Sequence, residues 1–341
     1  KNEPSAKALG HKTARGGIVT MSGQGFRFVL QLGSTMVLAR LLTPDDFGLI
    51  GMVTIVFSFL NMFKDFGLSQ AIIQRTEVTR EEVSNLFWVN IAVTVFLALC
   101  VALCAQMVAT FYGREELTSL TVVLASFMIL QGAGLQHRAL ITRKMEFMKL
   151  AVVETGAILV GVIVAVVLAY YGFSYWALVG QVGAAALVSL IGFLVFCRWL
   201  PSKPSASVSI RPYLKYGGNL AGFNLVNFFS RNADNIMIGY AWGGEALGIY
   251  TKAYGLLMLP LQQINAPMTK VMLPVLSRLQ SNSQEYSSYY LKAVGYIIAL
   301  TFPIVGFFLG SSHFIVLILL GENWLGAVQI ILLKTFLLPF M

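Results

Sequence analysis

Residues Thr35–Ile50, TMVLARLLTPDDFGLI, fall without a gap on Asn235–Tyr250, NIMIGYAWGGEALGIY, at an offset of 200 residues. Gly48 lies on Gly248 and Asp45 on Glu245. Identities are few, but the residues just before repeat a second pattern. Gln24, Arg27, Gln31, Ser34 and Thr35 fall on Asn224, Asn227, Arg231, Asp234 and Asn235. Spacings of three and four residues put each set on one face of a helix. The chain therefore repeats itself, and the first helix of each copy carries a polar stripe.

The solvent of these helices follows from composition. Of 341 residues, 57% are hydrophobic and 11% charged, with a mean hydropathy of +0.74, whereas soluble domains carry roughly 25% charged residues. Apolar runs of about 20 residues, long enough to cross roughly 30 Å of hydrocarbon, recur along the whole chain. Charges, Gly, Pro and turn residues punctuate them into helices near Gly17–Leu42, Phe47–Gln74, Val83–Phe111, Leu117–Ile141, Leu150–Tyr171, Tyr175–Trp199, Tyr213–Trp242, Ala246–Leu279 and Tyr289–Gly310. A short apolar piece, His313–Leu320, precedes Gly321-Glu322-Asn323, and a tenth span starts near Trp324 and is still running at Met341. Further helices are therefore expected beyond it. Six helices separate the copies, so the repeats are parallel. The expected fold is all-α and membrane-integral: a six-helix lobe over 1–200 and the first part of a second, truncated lobe over 201–341. Two such bundles typify secondary transporters, which rock one bundle against the other around a central cavity.

Loop charges test the helix count independently, because cytoplasmic loops carry an excess of Lys and Arg. Alternate loops hold clusters such as Arg138, Arg143, Lys144 and Lys149, whereas the intervening loops hold only Arg40 and Arg114. This places the N-terminus in the cytoplasm of a multi-pass protein. The net charge of +9 is spread over several loops rather than along one face, which argues against nucleic acid as a partner.

Catalytic and metal chemistry find no foothold. Cys100, Cys104 and Cys197 lie in apolar helices without ligand spacing, and His11, His137 and His313 are far apart in topology. Asp45 and Asp46 follow Pro44 at a helix start, where carboxylates favour the free N–H groups and the dipole; Glu245 begins a helix in the same way. We expect no enzyme activity and no cofactor.

The charges inside predicted spans are more informative. Arg27, Lys64, Arg231, Lys252, Lys270 and Lys334 lie there, against Asp65, Asp234 and, near a helix start, Glu154. Each such ion costs roughly 2.5–3.5 kcal/mol on insertion scales. Local pairing of Arg231 with Asp234, and of Lys64 with Asp65, leaves the interior positive. Snorkelling to an interface is the alternative for Arg27, Lys252 and Lys334. An anionic substrate would supply the missing counter-charge. Arg27, Gln31, Lys64, Asn227, Arg231, Lys252 and Lys270 are accordingly candidate substrate-binding residues. Pro260, Pro267 and Pro274 recur every seven residues on nearly one helix face and are candidate gating residues.

The runs LARLLTPDDFGLIGMVTIVFSF, DFGLSQAIIQR, RNADNIMIGYAWGGEALGIYTKAY and LPLQQINAPMTKVMLPVLSRLQ resemble the polysaccharide transporter family of the multidrug/oligosaccharidyl-lipid/polysaccharide exporter superfamily. The likeness is to flippases of the colanic acid exporter type in lipopolysaccharide biosynthesis. It implies two six-helix lobes in a V, a bacterial inner-membrane location, and undecaprenyl pyrophosphate carrying an oligosaccharide repeat unit as substrate. Membrane lipids, a polysaccharide polymerase and a chain-length regulator are the partners it suggests. Alternatives are a lipid II flippase, which differs mainly in head group, and a cation-coupled multidrug antiporter, which would need an anionic cavity. A glycosyltransferase would need a large external loop.

No Gly-rich nucleotide motif followed by Lys and Ser or Thr appears, so an ion gradient is the expected energy source, with Asp234 and then Asp65 as candidate coupling groups. The topology carries its own test. Single cysteines in 138–149 should be shielded from an impermeant thiol reagent added outside intact cells, and cysteines at Gly172 or Gly243 labelled. Labelling of the first segment from outside would overturn the helix count.

Overall fold

The computed structural model describes residues 25–64, 69, 72–73, 78–204, 211–280 and 283–337, without the side chains of 211–224, of most of 262–278 and of 336–337. Helices α1 (25–41), α2 (Pro44–Lys64), α3 (Arg80–Tyr112), α4 (Glu116–Arg143), α5 (Phe147–Tyr170) and α6 (Trp176–Cys197) come first. The stretch Arg211–Arg278 is helical except at Gly243 (φ 79°, ψ −169°), which divides it into α7 (211–242) and α8 (244–278). Helix α9 (Ser283–Leu319), a 3-10 turn Glu322–Trp324 and α10 (Gly326–Leu337) complete the described chain.

Among the described residues, α2 to α6 and α9 are long and apolar enough to cross a membrane. Their outward faces suit lipid: Phe96, Leu103, Met107 and Phe307 are all largely exposed. An aqueous surface would not leave so many large apolar side chains bare. The chain is a multi-pass membrane protein.

Local chemistry explains the helix ends. Thr79 and Glu82 form a capping box at the start of α3, with Glu82 N donating to Thr79 Oγ1 at 3.2 Å and Thr79 N to Glu82 Oε2 at 2.7 Å. Gly113, with φ 67°, ends the same helix, its N–H donating to Ala109 and Thr110 carbonyls. One boundary differs from expectation. Helix α9 starts at Ser283 and runs through Gly310 to Leu319, so His313–Leu320 is its last part and not a separate piece. In water Gly weakens a helix through its backbone freedom and Ser through competing side-chain hydrogen bonds; within a membrane the backbone has no solvent partner and stays helical. The backbone also remains helical through Pro260, Pro267 and Pro274, and the one break in dihedral angle lies at Gly243.

Helices α3 and α4, α4 and α6, and α5 and α6 pack together, while α10 lies against the α7–α8 stretch and α9. The most extensive packing joins α2 to the α7–α8 stretch. Its centre is a contact of backbones. A β-carbon on Gly48 would overlap the carbonyl of Gly244, and one on Gly248 would overlap the carbonyl of Pro44. Residue 44 corresponds to 244 and 48 to 248 in the repeat, so each copy offers the other the same two positions. That reciprocity is the signature of a two-fold contact.

Carboxylates brace this end. Asp46 Oδ2 accepts from Thr43 N and Thr43 Oγ1, both at 2.8 Å, and Asp46 Oδ1 accepts from Ser174 Oγ. Asp46 thus caps α2 as expected, but Asp45 does not: Arg114 grips it with two guanidinium nitrogens at 3.0 and 2.8 Å. The hydrogen bonds to Asp45 push the Arg114 pKa upward.

Gly172 and Gly243 both have positive φ, so the exposed Tyr171 and Trp242 beside them are the better labelling sites at this end. The backbone contact makes a sharper prediction. Gly48→Ala should destabilise the purified protein by about 1–3 kcal/mol through overpacking. Gly156→Ala, whose β-carbon meets open space, should be neutral or stabilise by up to about 1 kcal/mol. Equal thermal midpoints for the two variants would refute the contact.

Candidate functional site

A cavity of about 390 Å³ lies where the two copies face one another, walled by α1, α2, α7 and α8. Its wall includes residues 200 apart: Leu32 with Asn232, Thr35 with Asn235, Gly51 with Thr251, and Ile55 with Gly255. It therefore sits on the two-fold relation, beneath the Gly48, Gly244 and Gly248 contact. Gln31, Thr54 and Ser58 add further amide and hydroxyl groups. Lys252 is the one charged group among the described residues of the wall. Its ammonium lies 4.0 Å from the centre of the Phe47 ring.

Two adjoining cavities lie inside the N-terminal helices. The larger, about 530 Å³, is lined by Arg27, Gln31, Gln131, Arg138, Glu154 and Gln181 among others. The smaller, about 270 Å³, shares Gln131, Arg138 and Glu154 and adds Lys64. Gln31 borders both the larger cavity and the central one. Glu154 accepts from Arg27 through one oxygen and from Arg138 through the other at 2.8 Å. Lys64, only 8% exposed, donates to Gln131 Oε1 at 3.0 Å.

The sequence-derived residues are therefore divided among several places. Gln31 and Lys252 line the central cavity. Arg27 and Lys64 line the inner cavities instead. Their helices turn those faces toward α4, α5 and α6 and not toward the second copy. Asn227 and Arg231 bond to each other, Nε to Oδ1 at 3.1 Å, and both are exposed; neither is on the walls of the three cavities. Asn232 and Asn235 take that position, one step around the helix.

The expected pairing of Arg231 with Asp234 is not formed. Asp234 lies 3.8 Å from the Lys334 ammonium and accepts from Tyr250 Oη and from Asn235 N. Lys334 in turn sits 5.2 Å from the ring centres of both Tyr250 and Tyr254. A partner one hundred residues away on α10 supplies the counter-charge that a one-turn spacing suggested locally. Asp65 lies outside the described residues, as do the side chains of Lys270, Pro267 and Pro274.

Sequence reasoning missed three contributors. In sequence Glu154 stands near a helix start, Arg138 in a basic loop cluster, and Gln131 within an apolar span. Gln131, Gly134 and Arg138 follow helical spacing on one face of α4, which is the signal that places them together. The packing of Phe47 against Trp324 joins residues remote in sequence, and no local pattern announces it. Among the described residues no group of His, Cys, Asp and Glu is arranged to hold a metal ion.

Comparison with known proteins fits this architecture. A family model described as "Polysaccharide biosynthesis protein" matches residues 37–329. The "Lipopolysaccharide biosynthesis protein WzxC" of Escherichia coli (strain K12) is 25% identical over 305 residues, covering 89% of this chain and 62% of that protein. The "Succinoglycan biosynthesis transport protein ExoT" of Rhizobium meliloti (strain 1021) is 26% identical over 297 residues, covering 87% of this chain and 60% of that protein. The chain thus spans about six-tenths of the length of these relatives. A solved structure of a multidrug resistance MATE family transporter of the MOP superfamily, in an inward-facing conformation, superposes with a TM-score of 0.64 over 94% of this chain and 80% of its own, at 16% identity. That likeness identifies an all-α exporter fold. With the family model matched across both copies of the repeat, the chain is a member of the polysaccharide biosynthesis protein family.

Proposed function

We propose that this protein is a flippase, moving an oligosaccharide repeat unit linked to a polyprenyl pyrophosphate across a bacterial inner membrane by alternating access between two lobes, 1–200 and 201 onward. The observation that carries the reading is the wall of the central cavity. Amides and hydroxyls from both copies surround a single lysine, and no carboxylate is among the described wall residues. Such a wall suits a head group that is both anionic and rich in hydroxyls. The lysine meets the charge, and the amides and hydroxyls exchange hydrogen bonds with the glycan. An organic cation would meet a like charge there, which counts against a multidrug antiporter. The likeness to ExoT, named as a succinoglycan biosynthesis transport protein, supports the same reading, and so do the basic loop clusters that favour a cytoplasmic N-terminus.

The roles of Gln31 and Lys252 in substrate binding belong to this proposal, together with Asn232 and Asn235. A flippase for lipid II would use the same pyrophosphate chemistry with a different head group. Energy coupling through Asp234 would work by exchange of its Lys334 partner for an incoming cation, a different partner from the one its own helix offers. A polymerase and a chain-length regulator are the assemblies to which the product would be handed.

Deletion of the gene should leave a lipid-linked oligosaccharide on the cytoplasmic face, and the plasmid-borne parental gene should clear it. Lys252→Gln should still insert, since it removes a charge from the membrane interior, but should slow clearance roughly tenfold or more through loss of one charge-assisted hydrogen bond. Clearance at the parental rate by Lys252→Gln would remove the lysine from substrate binding.

A further inference from the structure

Phe47, at the start of α2, is held from two sides by the C-terminal helices. The Trp324 indole meets it edge-on, with ring centres 5.3 Å apart at 69°, and the Lys252 ammonium lies against it at 4.0 Å from the centroid. Trp324 is fully buried and donates from Nε1 to the Ala39 carbonyl at 2.8 Å. Beside it, Arg40 donates to the Ile318 carbonyl at 2.9 Å. These contacts close the molecule at the end where Gly48, Gly244 and Gly248 meet. Phe47 and Lys252 belong both to this closure and to the wall of the cavity beneath it, and Lys252 carries the charge there. Among the described residues no carboxylate lies within ion-pair distance of it.

The fold does not impose this arrangement. At the equivalent positions 200 residues away, Phe47 corresponds to Leu247 and Lys252 to Met52. Those two belong to a single buried apolar cluster. One half of a two-fold contact is thus an ordinary apolar packing, and the other an aromatic ring under an ammonium.

We propose that Lys252, Phe47 and Trp324 form a clasp that senses the ligand: an anionic group in the cavity draws the ammonium off the ring and so favours opening of the sealed end. The inference rests on the reading that the ligand is an anion. Attraction of an ammonium to a ring face is weaker than its charge-assisted hydrogen bond to a phosphate oxygen. The closed clasp and the ligand compete for one group, so each weakens the other by the same factor. Phe47 acts through Lys252 and is a positioning residue.

The test uses protein in lipid nanodiscs with Cys100, Cys104 and Cys197 replaced by Ser. Spin labels are placed at Glu115→Cys and Glu322→Cys, two exposed positions on opposite sides of the sealed end, and undecaprenyl pyrophosphate is the probe. In the parental protein the probe should widen the label separation. Phe47→Leu, which copies the residue at 247, should raise the open-to-closed ratio without probe by about fivefold and tighten probe binding by a similar factor. A residue with only a packing role would weaken binding or leave it unchanged. Lys252→Met, which copies position 52, should lose both binding and response, and Lys252→Arg should retain both. A parental response to probe in Phe47→Leu, with unchanged or weaker binding, would overturn the clasp and leave the substrate reading intact. Failure of the parental protein to bind the probe would overturn the substrate reading, and the clasp with it.

Discussion

The closest constraint in this molecule is the approach of two backbones. Helices α2 and α8 begin at equivalent points of the repeat, and there the space for a β-carbon is filled by the other helix's carbonyl. Between membrane helices there is little hydrophobic force to draw on, since lipid tails are as apolar as leucine, and small residues that admit close van der Waals contact supply the attraction. Everything else is placed by this meeting. Gln31 and Thr35 of α1 and Asn232 and Asn235 of α7 meet around the cavity below it, and Arg114 and Ser174 bring the α3–α4 and α5–α6 turns up to brace its carboxylates. The two cations that the charge pattern assigned to this end, Arg40 and Arg114, are both bound into it.

Charge is managed differently below. Arg27 and Arg138 share Glu154 within the N-terminal helices, and Lys334 faces Asp234 within the C-terminal ones. These pairs are each closed within one group of helices, which lowers the cost of their charges in hydrocarbon. The described wall of the cavity between the groups carries amides, hydroxyls and one lysine.

The sequence carried the class of fold and the repeat because both are periodic. A stripe every three or four residues, an apolar run of membrane length, and Gly48 standing on Gly248 are all visible in one dimension. Boundaries were legible where they depend on local chemistry, as at Gly113, and illegible at Gly310, where the membrane removes the solvent that ends helices elsewhere. The candidate site was legible only in part. Gln31, Thr35 and Asn235 face the cavity as the stripe suggested, and Lys252 stands there as the excess of interior cations suggested. Arg231 does not, because a helical stripe fixes a face only to within about one residue's rotation. The partners of Asp234 and Arg27 come from α10 and α5, and pairings over such separations leave no trace in a local pattern.

The central claim, that the cavity between the two copies receives the anionic head group, is tested most directly by ligand protection of single cysteines. In a background without native cysteines, Thr35→Cys and Asn235→Cys would place one thiol on each copy's wall, and Ser189→Cys one in the inner cavities of the N-terminal helices. The rate of modification by a small thiol reagent would be measured with and without undecaprenyl pyrophosphate. The account predicts protection at both 35 and 235 and unchanged reactivity at 189. Protection at 189 alone, or at only one of the two central positions, would contradict it.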